Sequence, residues 1–170
     1  MDRRFVIGML KDWGLALVVV VGLMVVWTAL QPSPPSEGPA PAFELSDLEG
    51  QTVALATLSE PVVVLNFWAT WCGPCVAEIP ELNEFHKENP SVGMVGISID
   101  DGFNTAALKV QSKKVGITYT VLHDMSSKVA SAYGISGVPV TFVLDEKREI
   151  RKVFVGSISK RQLQAAVDAI

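Results

Sequence analysis

Both cysteines of this 170-residue chain stand where its hydrophobic pattern changes period. Val62-Val63-Val64-Leu65-Asn66-Phe67 is apolar and β-branched, which suits a strand buried on both faces. Trp68-Ala69-Thr70-Trp71-Cys72-Gly73-Pro74-Cys75 follows at once. Beyond it Cys75, Ile79, Leu82 and Phe85 or His86 recur at three- and four-residue steps, the spacing of an amphipathic helix. The Cys-X-X-Cys pair therefore falls where a strand end meets a helix start. Free backbone N–H groups and the positive end of the helix dipole stabilise a thiolate there. A thiolate in that place, with a second thiol one turn on, makes a disulfide-exchange site.

Trp71-Cys72-Gly73-Pro74-Cys75 after a buried strand resembles the thioredoxin superfamily. Phe67-Trp68-Ala69-Thr70-Trp71-Cys72 and Glu78-Ile79-Pro80 resemble its membrane-anchored TlpA/ResA-like redoxin branch. The resemblance covers roughly residues 42–170. It implies an α/β thioredoxin fold with an added N-terminal β-hairpin, and protein thiol–disulfide oxidoreductase activity carried by a redox-active Cys72–Cys75 disulfide without a further cofactor.

Within that fold Cys72 is the expected nucleophile, attacking a substrate disulfide, and Cys75 the resolving thiol. Gly137-Val138-Pro139-Val140-Thr141-Phe142 matches the family's proline loop. There the resemblance implies a cis proline at Pro139 packed on the cysteines, with Val138 offering its backbone to the substrate. Trp71, Gly73 and Pro74 flank the nucleophile as candidate substrate contacts, with rim packing the first reading of Trp71. Glu78 lies one turn past Cys75 on the same side of its helix, where a carboxylate could exchange a proton with a thiol. Asn66 departs from the buried aspartate common at this strand position in cytoplasmic thioredoxins. An amide takes up no proton, so proton handling passes to Glu78 or water.

The rest of the chain supplies a frame. Phe43-Glu44-Leu45 and Thr52-Val53-Ala54-Leu55 alternate about the turn residues Asp47-Leu48-Glu49-Gly50, which reads as the β-hairpin. Strands are expected at Met94–Ile99, Thr118–Leu122, Val140–Leu144 and Ile150–Val155. Helices are expected at about 73–88, Asn104–Val115 and Ser127–Tyr133, and after a Ser159/Gln162 capping box. Pro80 lies inside the first of these helices and should kink it.

Hydrophobic residues make up 49% of the chain, and the excess lies in Trp13–Leu30, a run without a charged residue. Such a run is just long enough to span a membrane as a helix. Arg3, Arg4 and Lys11 precede it, and the next basic residue is Lys87, so the N-terminus (1–12) is expected in the cytoplasm and the rest outside. The run exceeds the core of a cleaved signal peptide, and no small-X-small site directly follows it. A single-pass anchor in a bacterial inner membrane is the resulting expectation. Residues 31–42 contain five prolines and read as a semi-rigid spacer of up to ~35–40 Å at ~3.1 Å per residue, with the thioredoxin-like domain over 43–170.

From residue 43 on, eleven Lys and Arg face fifteen Asp and Glu with no basic cluster, which gives nucleic-acid binding no support. His86 and His123 are the only histidines and neither has ligand spacing, so no metal site is expected; both read as surface or turn residues. The resemblance implies as substrates extracytoplasmic disulfide proteins, such as apocytochrome c or a copper-site protein. Electrons would come from a membrane thiol carrier, and a monomer is expected. The alternatives are a thiol peroxidase, whose threonine spacing and upstream proline do not match, and a copper-delivery module using His123 as a third ligand.

Overall fold

The computed structural model describes residues 3–29 and 33–170. Two compact units make up the chain, Met1–Pro32 and Ser33–Ile170. The expected start of the N-terminal segment, the end of the anchor and the first two residues of the linker lie outside the described residues.

In the first unit Arg3–Ala29 forms one helix, α1. Its described large apolar side chains, Trp13, Leu17 to Val21 and Leu23 to Trp27, are all exposed. Among the described residues no helix is long and apolar enough to cross a membrane. The anchor over 13–30 is an expectation of the sequence.

The second unit is a sheet of eight strands with helices on its faces. In chain order the strands are β1 (Gly38–Pro39), β2 (Glu44–Asp47), β3 (Thr52–Ala54), β4 (Val62–Trp68), β5 (Val92–Ser98), β6 (Thr120–His123), β7 (Val140–Leu144) and β8 (Glu149–Val155). In space they run β1-β8-β7-β4-β5-β6-β2-β3. β4, β5 and β6 are parallel, and β7 and β8 continue the sheet antiparallel on the other side of β4. Every residue of β5 is buried, and every residue of β4 after Val62, as their apolar composition requires. The helices are α2 (Gly73–Glu88), α3 (Thr105–Val115), α4 (Lys128–Ala132) and α5 (Lys160–Val167).

Alternation along β4 feeds two cores. Val63, Leu65 and Phe67 pack with Phe142, Tyr133 and Leu122 on one face. Val64 joins Leu82, Phe85 and Leu163 of α2 and α5 on the other. Phe67, Tyr133 and Phe142 form an aromatic triangle with centroids 5.0–5.8 Å apart. Asn104 caps α3 by accepting the Ala107 N–H, and the Ser159/Gln162 box caps α5.

Several boundaries move. α2 runs unbroken through Pro80. Leu55 leaves the expected second hairpin strand for a short 3-10 turn, Leu55–Thr57, and becomes a core residue. β6 starts two residues late and takes in His123, which is buried at 4% exposure rather than lying on the surface.

Most of the expected linker packs on the domain. From Ser33 on it belongs to the compact unit. Gly38 and Pro39 pair with Ile150 and Glu149 at the sheet edge, the Ala40 N–H donates to the Arg148 carbonyl, and the Tyr133 hydroxyl donates to the Pro41 carbonyl. Edge pairing suits a proline, whose missing donor can face away from the sheet.

Candidate active site

β4 delivers the site. After Trp68 the chain leaves the sheet and turns, with the Cys72 N–H donating to the Ala69 carbonyl, and enters α2 at Gly73. Cys72 is the N-cap, and Pro74 stands in the first turn, where its missing N–H removes no helix bond. The turn is held from outside by Asp100, which the sequence analysis did not single out. Its buried carboxylate accepts the Thr70 N–H at 3.1 and 3.0 Å, the Thr70 hydroxyl at 2.6 Å and the Ser98 hydroxyl at 2.7 Å. Asp100 lies just beyond the end of β5, the strand beside β4, and only that pairing brings it to Thr70.

Cys72 and Cys75 are joined as a disulfide. The Cys75 N–H points at Cys72 Sγ at 3.1 Å, placing the first sulfur on the helix N-terminus. Cys72 is 5% exposed and Cys75 1%, so the first sulfur is the more accessible, although in the disulfide form it is nearly covered. A thiolate at Cys72 would keep the Cys75 N–H as a donor and gain the dipole, both of which lower its pKa. Gly73 and Pro74 are exposed beside it, and Trp71 is 66% exposed, which settles its placement at the rim and outside the core. Trp68, by contrast, is fully buried.

The loop from Gly137 closes the other side. The Val138–Pro139 bond is cis, Pro139 is buried, and the Val138 carbonyl oxygen lies 3.6 Å from Cys72 Sγ. A disulfide sulfur has no hydrogen to donate, so this is a contact. Val138 therefore touches the disulfide, while Trp71, Gly73 and Pro74 adjoin it in the chain and Pro139 follows Val138.

Glu78 is buried, at 4% exposure. Asn66 Nδ2 donates to its Oε1 at 2.9 Å, and the Ile158 N–H donates to its Oε2 at 2.9 Å. The same Asn66 amide donates to Thr141 Oγ1 at 3.0 Å. Burial pushes the Glu78 carboxyl above its ordinary range, and the two hydrogen bonds pull it only part of the way back. Asn66, which takes up no proton itself, is thus hydrogen-bonded to Glu78, the expected proton handler. The sequence analysis missed Thr141 and Ile158. Thr141, an inward polar residue on an otherwise apolar strand, was a legible signal, whereas a backbone N–H from the β8–α5 loop was not.

Tyr119 lies within the field of Glu78. Burial first, and the Glu78 charge second, push its hydroxyl far up, so it remains a neutral phenol. The two histidines fall elsewhere. His86 packs edge-on against Tyr119, and His123 Nε2 is 2.9 Å from the Asp100 carbonyl oxygen. That bond ties His123 to the end of β5, not to the cysteines as a third copper ligand would require. Among the described residues no group of three or more His, Cys, Asp or Glu is arranged to hold a metal.

Known proteins resemble this chain in sequence and fold. The profile of the AhpC/TSA family matches residues 37–153. The thiol-disulfide oxidoreductase ResA of Bacillus subtilis is 32% identical over 136 residues, covering 79% of this chain and 76% of that protein. ResA of Geobacillus thermodenitrificans is 31% identical over 131 residues, covering 77% and 75%. Among solved structures, StoA from Bacillus subtilis superposes with a TM-score of 0.65 at 25% identity, covering 78% of this chain and 99% of that one. A thiol:disulfide interchange protein of the thioredoxin family from Chlorobium tepidum gives 0.67 at 29% identity, covering 81% and 98%. With a thioredoxin fold, a cysteine pair at the head of α2 and relatives of this kind, the chain belongs to the AhpC/TSA family and is a thiol–disulfide oxidoreductase of the ResA/StoA type.

Proposed function

We propose that this oxidoreductase works as a reductant of protein disulfides, held by residues 13–30 in a bacterial inner membrane with the catalytic domain on the extracytoplasmic side. The observation that carries the reductive direction is the pairing of Gly73-Pro74 between the sulfurs with a buried acid, Glu78, behind them. No histidine stands between the cysteines to stabilise a thiolate, and an ionised Glu78 opposes one. The reduced form is then less favoured, and the disulfide is the harder to reduce. The anchor is supported by the uncharged run Trp13–Leu30, its one-sided basic flank and the exposed apolar side chains of α1.

The chemistry follows. The Cys72 thiolate attacks one sulfur of the substrate disulfide, forming a mixed disulfide and expelling the other substrate sulfur as a thiolate, which takes a proton from water. Cys75 passes its proton to Glu78 and attacks Cys72 Sγ. The Cys72–Cys75 disulfide forms, and the second substrate sulfur leaves and is protonated. Two electrons have moved from the dithiol to the substrate, so each turnover needs a membrane-bound dithiol as reductant. The cysteine pair itself is the redox group. Trp71, Gly73, Pro74, Val138 and Pro139 form the surface the substrate meets. Extracytoplasmic proteins that must present free thiols to haem or copper, such as apocytochrome c or a copper-site protein, are the substrates proposed, with the enzyme acting as a monomer.

Full-length Cys75→Ser, expressed in membranes, should accumulate mixed disulfides through Cys72 that mass spectrometry identifies. Cys72→Ser should accumulate none. Trapping through Cys75 in the Cys72→Ser variant would reverse the two roles, and capture of cytoplasmic proteins alone would refute the location.

A further inference from the structure

The proline-rich segment reaches the active-site face. The Ser33 carbonyl oxygen lies against Gly134, where a Cβ would sit 2.6 Å from it, at a glycine in the left-handed region (φ +62°). Only the absence of a side chain at 134 lets the segment run there. The next residue, Pro34, is half-buried and lines a cavity of about 280 Å³ with Val138, Pro139, Val155 and Gly156. Val138 is the residue whose carbonyl touches Cys72 Sγ, so this cavity opens beside the disulfide. Downstream, the segment is pinned by the Gly38–Pro39 pairing with β8 and by the Tyr133–Pro41 hydrogen bond.

Among the described residues no charged one lines the cavity, and Val155 in its wall is 76% exposed. At about 280 Å³ it falls just below the ~300–1,000 Å³ usual for small-molecule sites. It is a trough suited to side chains of an extended chain, and it shares Val138 with the surroundings of the reacting sulfur. A charged side chain entering it would lose hydration and meet no partner. Pro34 has a fixed φ and a short side chain, so it forms a wall that needs little ordering when a ligand binds.

We propose that Ser33 and Pro34 are a specificity-determining wall of the substrate groove, and that the groove takes an extended, uncharged stretch with small side chains flanking the substrate's cysteine. This rests on the oxidoreductase being a reductant of protein disulfides. The segment joining the helical unit to the domain thereby helps choose the protein whose disulfide reaches Cys72.

The test uses the full chain in detergent. Two synthetic disulfide-bonded peptides serve as probes, with alanine and valine or with lysine flanking the cysteine, alongside the small disulfide 5,5′-dithiobis(2-nitrobenzoate). Pro34→Trp fills the trough. It should lower the ratio of kcat/KM for the alanine/valine peptide to that for the small disulfide about tenfold, the scale of one blocked apolar contact. Pro34→Asp should raise the preference for the lysine peptide over the alanine/valine peptide by a similar factor. The second variant guards against misfolding of the first, since it reads a gain. Ratios within about twofold of wild type in both variants would overturn the proposal. Failure of the wild type to reduce any of the three probes would instead overturn the reductase assignment on which it rests.

Discussion

Replacing Glu78 by glutamine tests the buried acid without emptying its site. Both bonds to Glu78 arrive from donors, Asn66 Nδ2 and the Ile158 N–H, each at 2.9 Å. A glutamine keeps one acceptor for Ile158 and turns an NH2 toward Asn66. The clash is relieved if the Asn66 amide turns over, so that its oxygen accepts from Gln at 78 and from the Thr141 hydroxyl, which now donates. The bonds among Gln at 78, Asn66, Thr141 and Ile158 are kept, at the cost of turning the buried Asn66 NH2 away from them, so the folding cost should be on the order of 1–2 kcal/mol. The charge is what disappears. Cys75 and Glu78 are three apart on α2, which puts their Cβ atoms ~5–6 Å apart. At ~6 Å and an effective dielectric of ~20, unit charges interact by ~2.8 kcal/mol, or about two pKa units. Above the pH at which Glu78 ionises, Glu78→Gln should therefore lower the Cys75 thiol pKa by up to about two units, and that of Cys72 by less. Alkylation of each cysteine in the reduced protein, followed by mass across pH, reads both. A Cys75 profile within about 0.3 unit of wild type would refute the coupling of acid and thiol.

Other consequences follow from the same contacts. The folded protein holds a Glu78 proton that the unfolded chain has already released, because the buried carboxyl titrates above its ordinary range. Stability of the disulfide form should therefore fall as pH rises from the ordinary carboxylate range through the raised value, and Glu78→Gln should flatten that slope in urea melts. Asn66→Asp would set two carboxyls within the present 2.9 Å contact, so one must stay protonated. A loss of roughly 3 kcal/mol at pH 8 and much less at pH 5 is expected, and equal losses at both would contradict it. Gly134→Ala should cost about 1–2 kcal/mol from the left-handed backbone alone and speed proteolysis within 33–37, since its Cβ displaces Ser33. Unchanged cleavage there would show that the segment does not lie on Gly134. A reporter that is active only outside the cytoplasm, fused after Ile170, should work; activity only of a cytoplasmic reporter would refute the topology.

The catalytic centre was legible because local signals carry it. A continuous apolar run gives way to helical spacing across Cys72 and Cys75, and α2 duly spans Gly73–Glu88. The cis bond before Pro139 followed from the resemblance, and Glu78 from its place one turn past Cys75. The supporting contacts were not legible, because they depend on which strands become neighbours. Asp100 meets Thr70 only once β5 lies beside β4, and the Ile158 N–H meets Glu78 only when the β8–α5 loop folds over α2. The packing of residues from Ser33 on was not legible for a related reason. Five prolines report stiffness, and composition is silent on whether a stiff segment finds an edge strand to pair with, as Gly38–Pro39 finds β8.

The reduction potential of the Cys72–Cys75 pair bears most directly on the proposed direction of electron flow. Equilibration of the full chain against glutathione, read by tryptophan fluorescence, measures it. Gly73-Pro74 between the sulfurs and Glu78 behind them predict a value near the ~−270 mV of thioredoxin. A value near the ~−120 mV of a strong oxidant would contradict the reductase and make the protein a donor of disulfides.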